Sequence, residues 1–282
     1  MVLDTDTYNE VDDQFALVQA LLSPDRLQVD AIYAAPYFNS RSSGPADGME
    51  KSYAEILRLL DKLEWPNREF VYRGATAYLD KNLQPQDSAA ARDLVARAMA
   101  SPADDPLYVV AIGAITNVAS AVLLEPKIIE KIVVVWLGGH ALHWPNTREF
   151  NLKQDVPAAR LLLDCGVPFV LIPCMGVTSH LHTTIPELEA HVAGQGAIGD
   201  YLVEIVKGYH ADHRGWSKVI WDISAIAYLL DANWTPSHLV HSPILTDQVT
   251  WSVDHSRHLI RYVHYIERDP IFRDLFTKLA SR

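Results

Sequence analysis

The sequence predicts an α/β fold, a layered domain around a mainly parallel central sheet, and three observations carry that prediction. Short apolar runs rich in β-branched residues alternate with stretches of helical periodicity. The runs are close to continuously apolar, as strands in a parallel sheet are. The residues with chemistry in them cluster just after the runs, where open α/β sheets gather functional groups.

Taken in order, VL before Asp4 is the first strand and 13–22 the first helix. DAIYAAPY at 30–37 is the second strand, and helices at 49–63 and 88–100 follow. LYVVAIG at 107–113 is the third strand, ahead of a helix at 117–124, and KIVVVWLGG at 131–139 is the fourth. A helix at 155–164, closed by Gly166 in the position of a C-terminal cap, leads to the fifth strand, VPFVLIP at 167–173. Beyond 185 the pattern is helical to about 230; DQVTWSV and HLIRYVHYI then flank DHSR and read as a β-hairpin before a final helix. With no repeat, low-complexity tract or linker, 1–282 reads as a single domain with a C-terminal helical and hairpin elaboration.

The chain has 282 residues, 49% of them hydrophobic, enough for a substantial core. A formal charge of −11 opposes a surface that tracks phosphates, so nucleic acid is not an expected partner. No basic start with an apolar run opens the chain and no stretch is long enough to span a membrane, so a cytoplasmic protein is expected. Cys165 and Cys174 lack the neighbours of a zinc site and read as ordinary buried thiols.

DTDTYNEVDDQFAL at 4–17 places Asp4, Asp6, Glu10, Asp12 and Asp13 close together just after the first strand. Like charges so near one another raise the free energy of the fold unless something cationic offsets them. An N-cap on the following helix accounts for one carboxylate, not the rest. A hard divalent cation such as Ca²⁺ takes about 6 to 8 oxygen ligands, and Asp6 and Asp13 could grip one from opposite sides of the loop. Water on such an ion loses its proton more readily, which an adjacent carboxylate can take. Metal-assisted hydrolysis is the chemistry this favours.

With that acidic signature the chain resembles the inosine-uridine-preferring nucleoside hydrolases. GAITNVASAVLLEP at 113–126, LGGH at 137–140, REFNLKQDVPAARLL at 148–162 and WDISAIAYLLD at 221–231 are similar to further landmarks of that family, in family order. The resemblance implies a Rossmann-like nucleoside hydrolase fold and a calcium-dependent N-ribohydrolase, in which a metal-activated water, deprotonated by Asp6, attacks C1′ and releases base and ribose. It implies Ca²⁺ held by Asp6, Asp13, Asp222 and a main-chain carbonyl near Thr116. Asp12, Asn39, Glu149, Asn151 and Asp222 would hold ribose hydroxyls, and Asp4 would brace the loop from behind. A homo-oligomer, dimer or tetramer, is implied as well. Read without the resemblance, Asn117 and Asp222 could each simply cap a helix, and Glu149 and Asn151 could be a plain loop pair.

Two departures stand out. The stretch TYNEV between Asp6 and Asp12 is longer than in familiar members, which makes Glu10 an extra potential ligand. The residue before the late aspartate, a histidine and proposed leaving-group acid in many members, is Trp221 here. Indole is no proton donor, so either aromatic rings such as Tyr37, Trp216 or Trp221 stack on the base, or His210 or His213 supplies the proton. His140, His180 and His182 are weaker candidates. The polar, glycine-rich loop 37–50 could be a lid or a determinant for a substrate larger than a plain nucleoside; its Arg41 could meet a phosphate or carboxylate, or be an exposed arginine on a plain surface loop. Two rival readings follow. DTDT also resembles the first motif of haloacid-dehalogenase-type phosphatases, and Trp221 would also suit a ribose-binding protein without catalysis.

Overall fold

The computed structural model describes residues 1–102 and 104–281. Its first half is a run of strand and helix units: β1 (Val2–Thr5), α1 (Asp13–Leu21), β2 (Ala31–Ala34), α2 (Pro45–Lys62), β3 (Val71–Arg73), α3 (Ala89–Ala100), β4 (Leu107–Ala111) and α4 (Thr116–Leu124). The series continues with β5 (Ile132–Leu137), the short α5 (Phe150–Gln154), α6 (Val156–Asp164) and β6 (Phe169–Ile172). The last third holds β7 (His182–Thr183), α7 (Ile185–His191), α8 (Gly196–Tyr209), β8 (Lys218–Val219) and α9 (Ile223–Leu230). It ends with β9 (Ser237–His241), β10 (Ile244–Leu245), β11 (Trp251–Ser252), β12 (Leu259–Val263) and α10 (Arg268–Ala280).

The main sheet has the order β3-β2-β1-β4-β5-β6-β12-β9. All of its pairings are parallel except that of β9 with β12. The chain steps outward from β1 to β2 and β3, then returns to place β4 on the other side of β1. Loops leaving the carboxyl ends of β1 and β4 therefore diverge and leave a crevice at the point where the strand order reverses.

Side chains alternate across the sheet, and both faces are buried. Leu3, Val110 and Val135 pack into one core with α1, α2, α8, α9 and α10. Val2, Val109 and Val134 pack into the other with α3, α4 and α6. This two-sided burial explains the near-continuous apolar runs. Gly166 has φ +82°, the left-handed conformation expected of a residue that closes α6.

The predicted hairpin near the C-terminus is not formed. β11 pairs with β10, whereas β12 lies between β6 and β9 in the main sheet. Burial decides the outcome: Ile260 and Tyr262 enter one core and Val263 the other, which a two-stranded ribbon cannot provide. Trp251 is also held elsewhere, its indole N–H donating to the His140 carbonyl at 2.8 Å. Two further differences are smaller. α2 begins at Pro45, within what reads as a polar loop, because Pro suits the first helical turn. β3, only three residues long, escaped the apolar-run criterion.

Candidate active site

Asp12 and Asp222 stand at the N-caps of α1 and α9, yet neither side chain caps its helix. Asp12 Oδ2 accepts from the Trp221 backbone N–H at 3.2 Å. Asp13, one residue into α1, accepts from the Thr5 hydroxyl through Oδ1 at 2.6 Å. The capping explanation therefore fails for both N-cap aspartates. Carboxylate oxygens of Asp12, Asp13 and Asp222 lie within 4.8 Å of one another, so two helix N-termini meet at one point. Their partial positive charges offset only part of the repulsion.

Asp6 is fully buried beside them, and neither of its carboxylate oxygens has a hydrogen-bond partner among the described residues. Asp4 Oδ2 and Asp13 Oδ2 are orphaned in the same way. Burial pushes the Asp6 carboxyl well above the usual range, and Asp13 adds to the shift. Burial, reinforced by Asp12, raises Asp13 to about 8, and burial raises Asp4 to about 7 against the hydrogen bond from Asn117. The glycine before the GAITN helix makes this crowding possible. A Cβ on Gly113 would sit 3.0 Å from Asp6 Cγ.

Asn117 is no cap either. Its Nδ2 donates to Asp4 Oδ1 at 2.7 Å and its Oδ1 accepts from the Ala75 N–H at 2.7 Å, so it fastens α4 to β1 and to the loop after β3. Thr116 turns its hydroxyl to Asp155 at 2.7 Å, away from the acidic group.

A cavity of about 670 Å³ opens over the carboxyl ends of the strands, and Asp12, Asn39, Glu149, Asn151, Trp221 and Asp222 all line it. Glu149 caps α5, accepting from the N–H groups of Asn151 at 2.8 Å and Leu152 at 2.9 Å, and also from Gly139 at 2.9 Å. Asn151 Nδ2 donates to the carbonyls of Ile112 at 3.1 Å and Leu137 at 3.0 Å, which ties the ends of β4 and β5 together. Asn39 links two loops: its Nδ2 donates to the Asn9 carbonyl at 3.1 Å and its Oδ1 accepts from the Arg41 N–H at 2.8 Å.

His210 and His213 do not line this cavity. They flank Trp216, with ring centroids 5.4 and 5.7 Å from it, and their ring nitrogens meet the carbonyls of Asp212 and Lys207. The placement expected for them is corrected accordingly, because the loop after α8 folds back on its own aromatic ring. Trp216 and Tyr37 are also off the wall, as are His180, whose Nε2 meets the Ile266 carbonyl, and His182, bonded to Ser217. His140 does line it. Its Nδ1 accepts from the Met175 N–H at 3.3 Å, and burial lowers its pKa, which favours the neutral ring. Cys174, read as an ordinary core thiol, also lines the cavity.

Tyr209 and the Glu10–Lys218 pair were not anticipated. The buried Lys218 ammonium lies 2.5 Å from Glu10 Oε2 and 3.6 Å from Asp12 Oδ1, and the Tyr209 hydroxyl donates to Glu10 Oε1 at 3.0 Å. Burial pushes the Glu10 carboxyl up, but Lys218 and the Tyr209 hydroxyl together pull it down and the net shift is downward. The extra acid of the long first loop thus has its own counter-charge. Lys218 carried no sequence signal beyond a single lysine among apolar neighbours.

The sequence profile of the inosine-uridine preferring nucleoside hydrolases matches residues 1–264. The chain belongs to this family. The pyrimidine-specific ribonucleoside hydrolase RihA of Salmonella enteritidis is 29% identical over 249 residues, 78% of this chain and 76% of its own length. A plant nucleoside hydrolase, PpNRh1, superposes with a TM-score of 0.80 at 18% identity over 100% of this chain and 98% of that one. The purine-preferring ribonucleoside hydrolase from Gardnerella vaginalis gives 0.76 at 20% identity over 99% and 98%. Membership in the nucleoside hydrolase family makes N-glycosidic hydrolysis of ribonucleosides the class of reaction and removes the phosphatase reading. The family is metal-dependent, and the buried aspartates are the group that suits a metal here.

Proposed function

We propose that this nucleoside hydrolase is calcium-dependent, with Asp6 as the base that takes a proton from the attacking water. The observation that carries the reading is the set of buried aspartate oxygens left without hydrogen-bond donors, on Asp4, Asp6 and Asp13. A buried carboxylate without partners costs several kcal/mol or more and persists only if neutralised. Hard oxygen donors crowded in this way fit a hard divalent cation. Asp6, Asp13 and Asp222, with Asp12 adjoining and a main-chain carbonyl near Thr116, are the residues that would hold it. When bound, the ion would supply charge neutralisation and Lewis acidity toward water and hydroxyl oxygens.

The protein's own groups account for the rest. Asp12, Asn39, Glu149, Asn151 and Asp222 line the cavity and would bind ribose hydroxyls, each of which offers a donor and an acceptor. The buried carboxylates favour the positive charge that develops at C1′ as the glycosidic bond breaks. Asp6 accepts the water proton on a carboxylate oxygen. Trp221, half-buried on the wall, would stack on the base. His140 and Tyr209 line the cavity where a departing base would be met, whereas His210 and His213 would reach it only by movement of the loop after α8. Asp4 supports the loop from beneath through Asn117.

Release of reducing sugar from a nucleoside panel tests the reading. Turnover should vanish with chelator, return with Ca²⁺ and be lost in Asp6→Asn. Calorimetric nucleoside binding with no ribose released would instead select the non-catalytic ribose-binding reading that Trp221 favours. We also propose a cytoplasmic homo-oligomer, which light scattering on the purified chain tests in its oligomeric part; no helix among the described residues is long and apolar enough to cross a membrane.

A further inference from the structure

We propose that Arg41 forms a subsite for a carboxylate carried by the leaving base, so that the substrates of this site include ribosides of carboxylated heteroaromatic bases. The inference rests on the hydrolase reading above and narrows its substrate class.

Arg41 is half-buried on the cavity wall and is held by hydrogen bonds and ring contacts. Its backbone N–H donates to Asn39 Oδ1 at 2.8 Å, and its carbonyl accepts from Lys51 Nζ at 2.7 Å. Its Nη1 donates to the Glu10 carbonyl at 2.9 Å, and its guanidinium carbon lies 5.8 Å from the Tyr8 ring centroid and 5.3 Å from that of Tyr209. These contacts orient the side chain without neutralising it. Among the described residues no carboxylate forms an ion pair with it, whereas the cations around it have partners: Lys51 with Asp47, Arg58 with Glu55, and Lys218 with Glu10 and Asp12. Arg148, the other arginine on the wall, is exposed and donates to the Gln248 carbonyl at 3.3 Å. Arg41 is thus a fixed, uncompensated guanidinium with donors to spare, and a planar carboxylate matches its fork.

Its neighbours locate the anion on the substrate. Tyr209 connects through Glu10 and Lys218 to the strand that precedes Trp221, which places Arg41 at the aromatic end of the cavity, where a flat base would lie. A free anion in a cavity rich in carboxylates is repelled unless it meets its own counter-charge, and Arg41 supplies one at this end. The absence of a histidine before Asp222 fits such a substrate. When an N-ribosyl pyridinium is cleaved, the C1′–N bond pair returns to the ring nitrogen and leaves it neutral. Water oxygen bonds to C1′, and the water proton passes to Asp6 and then to solvent. No proton is needed on the leaving group.

The test compares kcat/KM for nicotinate riboside and nicotinamide riboside, which differ only as carboxylate and carboxamide, in the wild type, Arg41→Gln and Arg41→Lys. The wild type should prefer the acid by about tenfold or more, Arg41→Gln should bring the ratio to near one, and Arg41→Lys should fall between, since it keeps the charge and loses the fork. A wild-type ratio of one or below overturns the subsite, as does a preference that survives Arg41→Gln. Adding a 5′-phosphate to either riboside should lower kcat/KM; an Arg41-dependent gain would show that the residue reads phosphate instead. Cleavage of uridine or inosine with neither pyridine riboside cleaved rejects the substrate class and leaves the hydrolase reading intact. If no nucleoside is cleaved, the hydrolase reading fails, and tighter binding of free nicotinate than nicotinamide, lost in Arg41→Gln, decides the subsite alone.

Discussion

The two ends of the cavity are built differently. The end proposed to hold the sugar stands on the carboxyl ends of β1, β4 and β5, where Asp4, Asp13 and Asn151 are buried and fastened to neighbouring residues and Asp6 is buried beside them. The aromatic end comes from the first loop, the Arg41 loop and the segment after α8, whose rings are half-exposed and held mostly by one another around the buried Lys218. The contrast implies that the first end carries the chemistry, with geometry set by the sheet, and the second carries selectivity, with geometry set by loops.

Substitutions test that division. The largest effect is expected from Asp6→Asn, which should lower kcat by about 10²- to 10⁴-fold, as loss of a general base does, with the fold intact by circular dichroism. Next comes Lys218→Met. It leaves Glu10 and Asp12 without their cation and should cost about 3 kcal/mol of stability, read as a lower denaturation midpoint. Trp221→Ala should weaken substrate binding by about 1 to 3 kcal/mol, seen as a higher KM with a smaller change in kcat. The smallest effects are expected from His210→Ala and His213→Ala, within about 0.5 kcal/mol in kcat/KM, as for surface sites away from the cavity. A large loss at either histidine would mean that the loop after α8 closes over substrate and would blur the division.

Stability should distinguish the two ends as well. Burial raises the folded-state pKa values of Asp4 and Asp13 to about 7 and about 8, above the ordinary aspartate value of 3.8, so without metal the folded protein holds protons that the unfolded chain releases. The stability this contributes is full below pH 4 and is lost as pH rises toward 8. Thermal melts of chelator-treated protein should therefore show Tm falling by roughly 5 °C or more between pH 5 and pH 8. Added Ca²⁺ should raise Tm most at the upper end. Glu10, held below the usual glutamate range by Lys218, shifts in the opposite sense: its contribution is lost as pH falls into the acid range, outside that window.

The same contrast explains what the sequence revealed. Asp4, Asp6, Asp12 and Asp13 are close in the chain, in or just after β1, so both their proximity and their place at the carboxyl end of the sheet are legible. Asp222, Glu149 and Asn151 were legible through motifs at the ends of elements. Lys218 and Tyr209 are not legible as site residues, and His140 reads only as a weaker candidate, because their places depend on how loops fold over the crevice, which neither periodicity nor spacing records. His210 and His213, which the sequence leaves open between a proton donor and a solvated helix face, lie off the cavity for the same reason. The C-terminal hairpin failed because a turn-like DHSR outweighed a signal only burial reveals, namely that Ile260, Tyr262 and Val263 belong to cores on opposite sides of one sheet.

Calcium titration of the chelator-treated protein by calorimetry, beside Asp222→Asn, addresses the central claim most directly, since Asp222 is the proposed ligand that lies farthest along the chain from the others. The account predicts one saturable site per chain in the wild type and its loss, or a weakening of at least about tenfold, in the variant. Absence of saturable binding, or binding that Asp222→Asn leaves unchanged, would contradict it.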